Sequence, residues 1–374
     1  MDIELGDLRK IQKKLKGLFH RRPERMGVHF EGDVVRIVKL KKKEDGSFKI
    51  AVFEELSYQL EKPTLEQQKT FQIAIKRIGA GINRVAVNME GPSLRVRRMV
   101  LAKMPEADIL EAIKWNFREH IEVSIEDYIV GYTPLKHNIE ANRMAIVAYG
   151  VAKEELAKYT DRFKLLGLRL ISLEPVSTAL LASFYVNGIL NDGDCHVCVS
   201  FGENIASFVV MKDDELLFSR PLAGLSQDSL VKNMVRDIGI TDARVKEMVQ
   251  AWIKQGDAVD TTPPEDEPEV DDGAASLNNK FDASIRHCFS NLVIEIQRSI
   301  DAFCIQYDVD RVDCLHVCGI GVKYPGMIDH IEKTIGVRTE IFNPFLNLME
   351  EELLKGEVIE KAPIYSVAVG LAIP

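Results

Sequence analysis

Three glycine turns, each following an apolar run, have the residue types that phosphate chemistry needs. They are Gly27-Val28-His29-Phe30-Glu31-Gly32, Ser200-Phe201-Gly202-Glu203-Asn204 and Cys318-Gly319-Ile320-Gly321. A phosphate is held by backbone N–H groups converging at such turns, with a carboxylate to hold the neutralising metal. None of the three is a Walker loop, and each alone also reads as a tight turn after a strand. The thiols offer a second chemistry. Cys195-His196-Val197-Cys198 has the CxxC spacing of zinc and redox sites, but in a β run residues three apart point to opposite faces. Cys314, His316 and Cys318 share a strand face without an evident second ligand pair. All six cysteines therefore read as reduced core residues, and no metal site is expected.

The elements that must position these turns are alternating strands and helices. Residues 27–40 and 48–56 read as a hairpin around the Asp45-Gly46 turn, followed by a helix over 65–78 and a short strand over 84–89. A compact α+β unit follows: strand 94–101, a helix from Pro105 with Ile109, Ile113, Phe117 and Ile121 inward and Trp115 displaced from that face, strands 128–135 and 143–151, and helix 153–166. Gly167 caps that helix, and strand 168–173 and helix 175–187 come next. The apolar run 195–211 with the Asp213-Asp214 turn and strand 216–220 repeats the first hairpin, so the halves read as weak internal duplicates. Helices over 241–255 and 279–308 flank an acidic, proline-bearing loop, 257–273. Strand 314–318, helix 326–335, strand 338–341 and an apolar helix near 364–373 complete the chain.

The chain of 374 residues, with 46% hydrophobic and 28% charged residues, is of the globular class. Its net charge of −9 argues against nucleic acid as a partner, because phosphate neutralisation needs a cationic surface. Basic character is local. Over residues 1–22, Leu8, Ile11, Leu15, Leu18 and Phe19 recur at helical spacing opposite Lys10, Lys13, Lys14 and Lys16. Such a helix suits an anionic membrane surface, with Leu8, Ile11, Leu15, Leu18 and Phe19 of the stripe and Lys14 of the basic face as its contact residues, or a packing role. No stretch reaches the ~20 apolar residues of a membrane span, so a cytoplasmic location is expected.

In order, these segments resemble the actin-like ATPase superfamily, to which FtsA belongs, and within it the PilM family of type IV pilus assembly proteins. The likeness runs from Gly27 onward and is most specific in 97–105 leading into 111–115, in 167–175, in Glu295-Ile296-Gln297-Arg298-Ser299-Ile300-Asp301, in Asn343-Pro344-Phe345 and in 367–372. It implies an α/β, two-lobed actin-like (ribonuclease H-like duplicate) fold with an inserted small α+β subdomain. The domains expected are a basic helix at 1–26, a first lobe at 27–92 and 173–194, the insert at 93–172 and a second lobe at 195–374. It also implies ATP and magnesium between the lobes, held here by Gly27, Gly32, Arg36, Gly202, Gly319 and Gly321 if the site is retained.

This chain departs from that pattern. The family's first loop carries Asp where His29 stands and glycine and serine where Glu31 and Gly32 stand, while Arg36 keeps the charge of the family's lysine. Ser200 stands for a second Asp. Without those carboxylates hydrolysis is not expected, although Gly319 and Gly321 could admit an adenosine. The expected role is a non-enzymatic scaffold of the pilus inner-membrane complex, peripheral to the inner membrane on its cytoplasmic side. It would dock the N-terminal tail of a PilN-like membrane protein through Arg95, Val96, Arg97, Met99, Leu101 and Trp115, with other pilus inner-membrane components and a second copy of itself as further partners. An ATP-driven switch or ATPase is the alternative, and a component like the type II secretion protein GspL is another.

Overall fold

A computed structural model of the chain describes residues 24–59, 62–91, 93–136, 142–191, 193–256 and 273–374. The basic stripe at 1–22 and residues 257–272 of the acidic loop lie outside these. Among the described residues no helix is long and apolar enough to cross a membrane.

The first lobe begins with β1 (Met26–Glu31) and β2 (Val34–Lys42), an antiparallel pair. The single run expected over 27–40 is thus two strands. Gly32, at φ +57°, turns the chain between them, which its lack of a Cβ allows. β3 (Phe48–Ser57) follows the Asp-Gly turn, then α1 (Leu65–Gly79), opened by a Thr64–Gln67 capping box, and β4 (Arg84–Met89). Phe71, Ala74, Ile75 and Ile78 of α1 recur at helical spacing and cover Val28 and Phe30.

The chain then leaves this sheet. β5 (Arg95–Ala102), α2 (Glu106–Phe117), β6 (Tyr128–Pro134) and β7 (Arg143–Ala152) form a separate antiparallel sheet, ordered β5-β7-β6, with Ile109, Ile113 and Phe117 of α2 packed on Met99, Ile146 and Ala148. α3 (Lys153–Leu165) returns Phe163 to the first-lobe core, and β8 (Arg169–Pro175) completes a sheet ordered β3-β2-β1-β4-β8. α4 (Val176–Val186) leads out of the lobe.

The second lobe repeats the plan. β9 (His196–Phe201), β10 (Ala206–Lys212) and β11 (Glu215–Leu222) are antiparallel neighbours, and again one expected run, 195–211, is broken in two, here at Gly202. α5 (Gln227–Ile238), α6 (Asp242–Gln255) and α7 (Gly273–Tyr307) precede β12 (Cys314–Gly319), α8 (Met327–Ile335) and β13 (Thr339–Ile341). The sheet order β11-β10-β9-β12-β13 matches that of the first lobe strand for strand. The directions match too: β1–β4–β8 and β9–β12–β13 are both parallel. Two such sheets are the duplicated plan expected from the sequence.

After α9 (Glu357–Lys361), α10 (Ser366–Ala372) crosses back and packs between β1 and α4. One apolar cluster therefore joins the lobes, with Ala179, Leu180 and Phe184 of α4 and Val367 and Leu371 of α10 against Cys198, Val209 and Cys318.

Candidate functional site

The hairpin turns after β1 and β9 face each other between the lobes. Alternation along β1 sends Val28 and Phe30 into the lobe core and His29 and Glu31 to the other face. At its end β1 leaves the ladder with β4, and the Asn88 side chain takes over. Asn88 Oδ1 accepts from the Phe30 N–H at 2.8 Å and Nδ2 donates to the Phe30 carbonyl at 3.0 Å. That clamp fixes Glu31.

The Glu31 carboxylate reaches across the cleft. Its Oε2 pairs with Arg36 Nη1, and its Oε1 accepts from the backbone N–H of Glu203 at 3.1 Å. Arg36, buried on β2, also donates from Nε to Glu55 Oε2 at 2.7 Å. Burial opposes ionisation of Glu31, but Arg36 beside it and the hydrogen bonds from Arg36 and Glu203 outweigh that and hold the carboxyl below the usual range. A second-lobe amide, the kind of group a phosphate loop aims at its anion, thus already has a fixed carboxylate from the first lobe.

Protein atoms also occupy the space beside five of the six candidate nucleotide-binding residues. A Cβ on Gly32 would overlap the Glu203 carboxylate, and one on Gly202 would meet Glu31 Oε1 at 2.5 Å and the Ile205 carbonyl. Gly319, at φ +84°, and Gly321 lie against the backbone and ring of Phe201. Gly27 does not reach the cleft opening. Its bare Cα admits the backbone of α10 at Ala368 and Ala372. The sixth, Arg36, is tied up in the two ion pairs above.

The surrounding charge is negative. Burial, then the Glu31 and Asp33 charges, raise the Glu203 carboxyl, and burial followed by Glu31 pushes Glu90 up to about 8. His29, beside Glu31 on β1, is buried and its Nδ1 has no partner among the described residues. Burial, reinforced by Arg36 and opposed by Glu31, brings its pKa down to about 4. Its neutral ring offers no charge to Mg2+, a cation that prefers oxygen ligands. The consequence for stability follows from linkage. The folded His29 pKa lies below the ordinary 6.5, so its contribution is complete above pH 6.5 and is lost as pH falls from 6.5 towards 4, amounting to about 3 kcal/mol. His29→Gln should flatten that part of a urea-midpoint profile; an unchanged acid limb would refute the assignment.

The candidate docking residues divide between two faces. Met99 is core under α2, and Leu101 packs beside it. Val96 joins the interlobe cluster on the opposite side, where the Arg98 guanidinium also lies over the Tyr307 ring of α7 at 4.8 Å. Arg95 donates to the carbonyls of His120 and Leu94 at 3.1 and 3.0 Å. Arg97 is exposed, and Trp115 is 71% exposed with Arg118 5.4 Å from its ring centroid. The six membrane-contact residues of the N-terminal stripe lie outside the described residues.

Five of the six cysteines are buried as expected and Cys304 is half-buried, and the CxxC pair behaves as its spacing predicts. Cys195 enters the second-lobe core and Cys198 the interlobe cluster, on opposite faces of the sheet. Missed in the sequence was the pairing of β9 with β12, which sets Cys314 opposite His196 and His316 opposite Cys198. A repeated x-His/Cys-x alternation in two runs 120 residues apart was the signal that could have shown it.

A family model described as type IV pilus assembly protein PilM matches residues 263–374. No curated protein matches the chain. Among solved structures it is similar to a PilM-PilN type IV pilus biogenesis complex, at 18% identity over 94% of this chain and 98% of that one, with a TM-score of 0.74. A diol dehydratase-reactivating factor in nucleotide-free form is also similar, at 8% identity over 94% and 99% of the two chains and a TM-score of 0.50. At these identities the shared property is the fold. The chain thus has the PilM type of actin-like fold, and its C-terminal segment matches the PilM family model.

Proposed function

We propose that this chain is a non-catalytic scaffold of a type IV pilus inner-membrane complex, docking the cytoplasmic tail of a PilN-like membrane protein at the cytoplasmic face. The observation that carries the reading is the Glu31 carboxylate, paired with Arg36 and accepting the Glu203 N–H across the cleft. A triphosphate entering there would have to displace a buried ion pair and sit among Glu31, Glu203 and Glu90. Calorimetry with ATP and magnesium is expected to give no micromolar binding. Binding at that level, abolished by Gly202→Val, would refute the reading.

Docking requires no turnover. On the α2 side of the inserted sheet, Trp115 and Arg97 are exposed residues of the two types enriched at binding hot spots. Trp115→Ala should weaken capture of a PilN-like N-terminal peptide by tenfold or more, about the 1.4 kcal/mol or more of a hot-spot residue. An unchanged dissociation constant would move the docking site elsewhere on the molecule.

A further inference from the structure

At the end of β9 and β12 remote from the cleft, the second lobe carries a group that the scaffold reading does not use. His196, Cys314 and His316 are buried, and each offers a ligand atom within 4.8 Å of the others. His196 Nδ1 and His316 Nε2 stand 3.0 Å apart. The register explains the convergence. His196 lies opposite Cys314 in the parallel β9–β12 pair, and His316 follows two residues along on the same face. Phe184 of α4 packs edge-on against His316 with centroids 5.0 Å apart, which restrains that ring. Across β9, Met211 is the register partner of His196 and is fully buried in the interlobe cluster.

We propose that His196, Cys314 and His316 form a buried site for a thiophilic closed-shell cation, and that the ion is copper(I). Bonds of about 2.0–2.3 Å in a trigonal arrangement would set the ligand atoms about 3.5–3.8 Å apart. His196 Nδ1 and His316 Nε2 stand slightly inside that range and no other pair of ligand atoms is more than 4.8 Å apart, so small side-chain rotations would close the site. Two imidazoles and a thiolate are donors for copper(I) and zinc, not for magnesium or calcium. Charge balance separates the first two. Binding releases the Cys314 thiol proton, and the histidine that donates in the His196–His316 hydrogen bond moves its proton to its other ring nitrogen. A monovalent ion then leaves the dry site neutral, whereas zinc leaves one uncompensated positive charge at a cost of several kcal/mol. The Met211 thioether next in register is a further soft donor, of the kind copper accepts.

The test uses the full chain under anaerobic, reducing conditions. Copper(I) buffered by a chromophoric chelator and, separately, zinc are titrated into wild type, Cys314→Ala and His316→Gln, with thermal melting of each metal-free protein as the fold control. Wild type should take up one equivalent of copper(I) and melt at a higher temperature with it. Cys314→Ala, which removes a ligand itself, should bind more weakly by more than the ~100-fold that losing an outer-shell partner can cost, with its metal-free melting little changed. If Cys314→Ala does not fold, His316→Gln carries the comparison, along with metal protection of the wild-type Cys314 thiol against alkylation after denaturant pulses. Tighter binding of zinc than of copper(I) would overturn the choice of ion. Uptake of neither ion, or equal uptake by wild type and the variants, would overturn the site.

Discussion

Replacing Glu31 by alanine is expected to lower the stability of the folded protein by about 3–5 kcal/mol at pH 7, measured as the fall in urea midpoint at constant slope. Glu31 is one half of a buried ion pair with Arg36, and its other oxygen accepts the Glu203 N–H. Removing it strands a guanidinium whose remaining partner is Glu55, on the more exposed side of β3. It also leaves an amide of the second-lobe turn without its acceptor. The Glu31 carboxyl is held below its ordinary range, so its contribution is present at neutral pH and is lost as pH falls through the folded-state value. The gap between wild type and variant should narrow in acid. Adding Arg36→Leu to Glu31→Ala removes the stranded charge and should recover most of the loss. Equal midpoints for wild type and Glu31→Ala would mean that neither the Arg36 pair nor the Glu203 N–H bond across the cleft stabilises the fold.

Gly370→Ala should also be strongly damaging, at or beyond the upper end of the ~1–3 kcal/mol that overpacking costs. A Cβ at this position in α10 would overlap the carbonyl oxygen of Ala179 and meet its carbonyl carbon at 2.5 Å. The obstruction is backbone of α4, with no flexible side chain to swing aside, so the two helices must separate. Gly27 presents the same requirement on the other side of α10, where its Cα faces the backbone of Ala368 and Ala372. Once one substitution has lifted α10 the second has less to disrupt, so Gly27→Ala and Gly370→Ala together should cost less than the sum of their separate effects. Differential scanning calorimetry of the two single variants and the double variant would show this. Wild-type melting temperatures for both single variants would contradict close helix packing as the reason for these glycines.

Much of the architecture is legible along the chain because local rules agree with the fold. Apolar alternation marks the strands, and the Asp45-Gly46 turn marks the β2–β3 hairpin. In α2 the stripe of Ile109, Ile113 and Phe117 leaves Trp115 outside, as its spacing requires. Two failures are instructive. The runs 27–40 and 195–211 each read as one strand because a hairpin turn of a few residues hardly interrupts the apolar pattern. In the structure Gly32 and Gly202 break both at corresponding places. No element was expected over Gln227–Ile238, yet Ser226 accepts from the Ser229 N–H at 3.2 Å, Gly239 takes φ +81° at the other end, and Leu230, Val231, Met234 and Ile238 face inward. Those start and stop signals were present, and a short helix with many polar residues hid them.

The candidate site divides in the same way. The residue types at His29, Glu31 and Ser200 are written in the chain, and none of the three positions carries an aspartate. What each glycine is for could not be read there. A glycine records only that a side chain is not wanted or that φ is positive, and the atom filling its space comes from a strand or helix far away in sequence. The meeting of Glu31 with Glu203 and of Gly27 with Ala368 follows from lobes folding onto one another, and that of His196 with His316 from the pairing of β9 with β12 inside the second lobe. Sequence by itself determined the elements, their duplicated order and the chemical types at each turn, because periodicity, capping and turn geometry act over a few residues. Tertiary structure alone decided which turns meet across the cleft and which donors converge, because those partners, Glu31 with Glu203 and His196 with His316, lie more than a hundred residues apart in the chain.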